Sequence, residues 1–165
     1  MAKRLNLREF QQGLIDRLQA TDTSAARVTT LGVQIAGRNW LVDMGDFSEV
    51  LPLPPLTVVP FTKPWFRGVA NIRGSLYGVI DMAAYEHSGV ASGDVGNRVL
   101  LIAPKHGLNA GLLVDAVLGL RDAQAWRQSE GLDRQIEYYD ENGAPWRKLD
   151  VRGLIEQAEF LQIGN

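Results

Sequence analysis

The chain has no cysteine and only two histidines among its 165 residues. The first absence excludes disulfides and thiolate metal sites, and it suits a reducing compartment. His87 and His106 have no acidic or histidine neighbours at ligand spacing, so both read as surface side chains in loops. No stretch approaches the length of apolar sequence that a membrane-spanning helix needs. The opening "MAKRLNLREF" has two early basic residues but lacks the apolar core of a secretory signal. A basic excess is missing too: 17 Lys and Arg face 19 Asp and Glu, for a net charge of −2. That opposes the basic face expected of a nucleic-acid or anionic-membrane binder. The expectation is a cytoplasmic, soluble protein without direct membrane insertion.

Chemistry-bearing motifs are equally scarce. "GDVGN" (93–97) lacks the Gly-Lys-Ser/Thr of a phosphate loop, and no Gly-x-Gly-x-x-Gly opens a helix. "GSLYG" (74–78) sets its serine beside the first glycine, so it is no nucleophile elbow. "DENG" (140–143) looks acidic, yet Asn-Gly between apolar runs is a hairpin-turn signature. No local feature asks for catalysis, a metal or a cofactor, and no enzyme is expected. Carboxylates assembled from distant strands would leave no local mark, which keeps a hydrolase as a third reading.

What is present is a globular composition with 45% hydrophobic residues. Residues 4–20 place Leu7, Phe10, Leu14 and Leu18 at spacings of three and four, the mark of an amphipathic helix. With the "TDTS" linker they form an amino-terminal unit, 1–24, followed by a domain over 25–165. That helix either docks on its own domain or reaches a partner. The domain consists of short Val-, Ile-, Leu- and Trp-rich runs broken by glycines, so it should be mainly β, a sandwich or barrel.

A weak internal repeat refines this. "RVTTLGVQIAGRNWLVD" (27–43) matches "RVLLIAPKHGLNAGLLVD" (98–115): each starts Arg-Val, turns at a glycine and ends Val-Asp. "GSLYGVIDM" (74–82) likewise matches "GAPWRKLDV" (143–151), each with an aromatic and then an aspartate. The reading is two similar all-β units, each ending in a short helix N-capped by aspartate, Asp81 and Asp150. Units of about 70 residues are too small to be comfortable alone, so they should share an apolar core.

"LPLPPLTVVPFTKPW" (51–65) holds five of the seven prolines. Proline cannot donate to a ladder, so this piece should be a stiff extended strap, not a central strand. Its Leu, Val and Phe side chains should be partly buried. A polyproline ligand for an SH3-type module is the sharper alternative.

The next residues carry a family resemblance. "VVPFTKPWFRGVANIRGSLYGVIDM" resembles the signature of the CheW-like scaffold proteins of bacterial chemosensory systems, through Val59, Pro60, Pro64, Phe66, Gly68, Val69, Asn71, Ile72, Arg73, Gly74, Ile80, Asp81 and Met82. "FSEVL" is similar to an upstream element of that family and supplies Glu49 and Val50. Ile72 stands for the usual leucine, and Gly78 for a common proline. The amino-terminal helix and the ending "WRKLDVRGLIEQAEFLQIGN" look like the homologue that serves twitching motility by type IV pili.

The resemblance implies two five-stranded SH3-like β-barrel subdomains with a shared hydrophobic core, plus short helices after the barrels. It implies a non-catalytic adaptor without cofactor or metal. Its partners would be the regulatory domain of a CheA-type histidine kinase and the cytoplasmic tip of a methyl-accepting chemoreceptor. It also implies that Arg73 pairs with Glu49, and it marks Phe47, Glu49, Val50, Gly68, Val69, Asn71 and Arg73 as partner-binding. The plainer reading of Arg73 is a cap on turn carbonyls, and that of Gly68 is a glycine required by the backbone alone. The main rival is a nucleic-acid-binding small β-barrel that uses Trp40, Trp65 and Tyr77 as stacking platforms; the acidic balance speaks against it.

Overall fold

A computed structural model describes residues 30–87, 89, 95–131 and 135–164. The amphipathic helix and linker expected over 1–24 lie outside the described residues. Eleven strands run β1 (Thr30–Ile35), β2 (Arg38–Asp43), β3 (Phe47–Pro52), β4 (Phe66–Ile72), β5 (Ser75–Asp81), β6 (Arg98–Ile102), β7 (Ala110–Val114), β8 (Ala116–Arg121), β9 (Arg127–Glu130), β10 (Ile136–Tyr139) and β11 (Pro145–Lys148). Three short helices join them: α1 (Met82–Tyr85), α2 (Val151–Glu156) and α3 (Ala158–Leu161).

The strands form two sheets. The first has the order β8-β1-β2-β11-β10-β9 and the second the order β3-β6-β7-β5-β4. The expected pair of five-stranded units is therefore present, with β9 added as a sixth strand at the edge of the first. Both orders place a hairpin at the centre (β1–β2, β6–β7), and in both its second strand pairs parallel with a strand that ends in an aspartate-capped helix. Asp81 accepts from the Ala84 amide at 3.3 Å and Asp150 from the Gly153 amide at 3.1 Å. The repeat is thus a repeat of topology.

One part of the sequence reading is corrected. Each half does not complete its own sheet, because the central hairpins are exchanged. β1–β2 sits among β8–β11 of the second half, and β6–β7 sits among β3–β5 of the first. Asp115, at the end of β7, ties the exchange by accepting from the Ala36 amide at 2.7 Å. A hairpin has two edges to satisfy, and here the partner half supplies both of them.

Strand periodicity then distributes the core. Leu100 and Ile102 of β6, with Leu112 and Val114 of β7, join Leu31, Val33, Ile35 and Val42 of the first sheet in one shared cluster. The alternate residues Val99, Leu101 and Leu113 turn to the other face and meet Ala70 and Val79 in the interior of the second sheet. Both faces of β6 and β7 are buried, which is why their sequence is an unbroken apolar run.

The proline-rich strap forms no strand over 53–65 and touches its surroundings through isolated bridges, Thr57 with Val69 and Thr62 with Gly164. Leu53, Leu56 and Val59 are partly buried as expected. Val58 and Phe61 are not: they are 78% and 86% exposed. "DENG" is the expected turn between β10 and β11, with Gly143 at φ +77°. His106 departs from its reading as a surface histidine. Its ring is largely covered and hydrogen-bonds Asp46 at 2.9 Å, because the short turn Pro104–His106 packs on the crossing from β2 to β3.

Candidate functional site

The β4–β5 hairpin turns through two residues, Arg73 at φ +52° and Gly74 at φ +84°, with Ile72 opposite Ser75. Two positive φ angles define the tight turn whose twist matches that of paired strands. Asn71 helps to hold it, its Oδ1 accepting from the Gly74 amide at 3.0 Å. Arginine is an unusual occupant of the first position, where its backbone is sparsely allowed. Its side chain gives the reason: Arg73 reaches back and ion-pairs with Glu49 of β3. β3 and β4 are the two ends of the second sheet, so this pair joins its first strand to the tip of its last hairpin. The guanidinium is 72% exposed and the carboxylate 30%. An exposed pair of this kind contributes about 0–1 kcal/mol to stability.

Around this pair the candidate residues separate by role. Val50 is 42% exposed beside Glu49. Asn71 is exposed and holds the turn. Phe47 and Val69 are half-buried and pack on the shared core. Gly68 is buried at φ +135°, and a Cβ there would lie 2.4 Å from the Thr57 carbonyl oxygen. The strap runs so close that only glycine fits, so the backbone requirement accounts for it. The structure therefore brings Glu49, Asn71 and Arg73 to one exposed end of the second sheet, while Val50, next to Glu49 in β3, is exposed on the opposite face of that strand. Gly68 and Val69 instead lie where the strap crosses β4, and Phe47, two residues before Glu49 at the start of β3, turns to the shared core.

Leu76, 62% exposed and directly opposite Asn71, adds an exposed apolar side chain that the resemblance does not mark. Its signal was available: "SLYG" breaks the apolar run of β5 with small and polar residues, and burial fades towards the hairpin tip. The base of the same hairpin is fixed by a different pair. Asp81 is fully buried, and Arg67 of β4 approaches it at 3.3 Å.

The corresponding turn of the first sheet is closed another way. Trp146 of β11 is 4% exposed, donates its Nε1–H to Asp140 at 3.0 Å, and lies under the Arg121 guanidinium of β8 at 5.7 Å. The Trp146 hydrogen bond, with amide bonds from Ala144 and Asn142, holds the Asp140 carboxyl below its ordinary range. A groove beside α2 carries Asp43, Asp46, Glu86 and Asp150 with Lys148. Burial raises the Glu86 carboxyl above its usual range, against the pull of Arg147 and His87. Among the described residues no three potential ligands converge as a metal cluster.

Two of the three stacking platforms of the rival reading are not available, and the third, Tyr77, is half-buried against the interior of the second sheet. Trp40 and Trp65 are 5% and 4% exposed, spent on the shared core. No described helix is long and apolar enough to cross a membrane.

Comparison with known proteins agrees with this architecture. The model of the CheW-like domain matches residues 29–159. Protein PilI of Pseudomonas aeruginosa is 35% identical over 140 residues, covering 81% of this chain and 78% of that protein. A probable chemotaxis protein CheW of Rhizobium etli is 30% identical over 88 residues, covering 53% of this chain and 56% of its own. The crystal structure of the scaffolding protein TtCheW from Thermoanaerobacter tengcongensis superposes with a TM-score of 0.66 at 20% identity, covering 81% of this chain and 95% of the other. That last likeness is one of fold.

Proposed function

The chain belongs to the CheW-like family, and on that premise we propose that it is a non-catalytic adaptor. It would couple the cytoplasmic tips of chemoreceptors to the regulatory domain of a CheA-type histidine kinase, in the signalling that controls type IV pili. The observation that carries this reading is the exposed Glu49–Arg73 pair. It costs an arginine an unfavourable backbone angle and returns little stability, so its surface position is the better reason for its presence. With Asn71 and Leu76 on the same hairpin, it offers a charged centre beside an exposed apolar side chain, suited to an amphipathic helix of a receptor tip. The adaptor acts by geometry: it fixes receptor and kinase relative to one another, and receptor signals shift the kinase between its states.

Calorimetric titration into the purified kinase regulatory domain, and separately into a receptor cytoplasmic fragment, tests the proposal. Saturable binding to both is expected. Arg73→Glu should abolish receptor binding and keep kinase binding. Absence of heat with the kinase domain sinks the adaptor role, and unaltered receptor binding by the variant removes Arg73 from the contact.

A further inference from the structure

Where the strap runs into β4 the Trp65 carbonyl accepts from the Asp81 amide at 2.8 Å, and before that point the strap is fastened at two places. Thr57 and Val69 exchange both backbone hydrogen bonds, at 2.8 and 2.9 Å, which seals the outer edge of β4. Six residues on, Lys63 donates to the Ile163 carbonyl at 2.8 Å and Thr62 bridges Gly164. The second fastening is reinforced by aromatics. Trp65 stacks on Phe160 of α3 at 6.2 Å with planes 7° apart, and Tyr85 meets both rings edge-on at 5.2 and 5.6 Å. The Tyr85 hydroxyl donates to Gln157, at the junction of α2 and α3.

Between the fastenings stands a strained arch. Phe61 has φ +61°, a region an L-aromatic residue occupies only when its surroundings impose it. Its ring is 86% exposed, so burial of that ring does not impose it. Within the arch the Thr62 hydroxyl donates to the Val59 carbonyl at 3.1 Å, and what fixes its two ends is the fastenings themselves. One belongs to the second sheet. The other is supplied by the segment after α2, far along the chain.

We infer that residues 157–164 are a latch: they hold the strap in its strained arch, and through the Thr57–Val69 contact they steady the β4–β5 hairpin that carries Arg73. Released, Phe61 relaxes to an extended backbone and the strap lifts from β4. Any effect on receptor binding rests on the adaptor reading above, but the latch itself does not.

Amide hydrogen exchange, followed residue by residue on the full chain, tests it without any partner. Phe160→Ala removes the stacked ring, and Tyr85→Phe removes only the bond to Gln157. The expected result is about tenfold faster exchange at Lys63, Thr57 and Val69 in the first variant and a smaller acceleration in the second, with β1–β2 and β6–β7 amides unchanged. Adding Phe61→Asn to Phe160→Ala should restore part of the protection at Thr57, because asparagine tolerates the left-handed region. Acceleration at Lys63 with Thr57 and Val69 unmoved overturns the coupling. Uniform acceleration across both sheets in Phe160→Ala and Tyr85→Phe alike overturns the latch.

Discussion

The two sheets share one strand order and differ in how each fills its interior and fastens its ends. The second is filled by aliphatic side chains, Ala70, Val79, Val99, Leu101 and Leu113, and fastened by an exposed ion pair. The first is filled by Trp146, against Trp126 at 5.3 Å and beneath Arg121 at 5.7 Å. The connections differ in the same sense. β9 joins β10 through four residue pairs, whereas the proline strap adds a single bridge to β4. Topology therefore does not dictate chemistry. Where the fastening is buried it serves stability, and where it is exposed at little gain it is free to serve recognition.

The comparison breaks most visibly at Trp146. Trp146→Ala should destabilise the protein by about 3–5 kcal/mol in denaturant unfolding, since it empties the first sheet and leaves Arg121 without its ring. A loss below about 1 kcal/mol would show that the tryptophan does not fill that sheet. Next comes Gly68→Ala, which forces a Cβ to 2.4 Å from the Thr57 oxygen at φ +135°. About 2–3 kcal/mol should be lost, with the strap displaced and the first sheet intact by amide exchange.

Asp140 sharpens the contrast by pH. Its folded carboxyl titrates below its ordinary value, so its contribution is complete above the unfolded pKa and fades as pH falls through the folded one. Melting temperatures of wild type and Asp140→Asn should differ at neutral pH and converge as pH falls below the ordinary carboxylate range, a flat difference counting against the Trp146 bond as its cause. The smallest effect on stability belongs to Arg73→Glu, at about 0–1 kcal/mol despite the loss of receptor binding proposed for it. A larger loss would make the pair a structural clasp and erase the distinction between the sheets.

Much of this was legible in the chain. Local rules placed the Asp81 and Asp150 caps, the "DENG" turn and the absence of a strand from the strap, because each depends on neighbours in sequence, whereas the arch at Phe61 was not legible. The pairing of Glu49 with Arg73 came from the family resemblance, not from spacing. The hairpin exchange was hidden: "RVTTLGVQIAGRNWLVD" has the same alternation whichever half it pairs with. Exposure was hidden as well. Phe61 reads as partly buried and stands in solvent, while His106 reads as a surface residue and is covered by Asp46 and its neighbours.

The sequence by itself determined the β class, the repeat, the capped helices, the absence of thiol chemistry and the family, all carried by residue type and short-range order. Only the tertiary structure decided which half completes which sheet, that Gly68 yields to the strap, and that Trp40 and Trp65 are core. It alone put Glu49 and Arg73, 24 positions apart, into contact at an exposed edge. The physical reason is that strand pairing and burial are satisfied by surfaces the chain brings together only on folding, and several partners satisfy them equally well on paper.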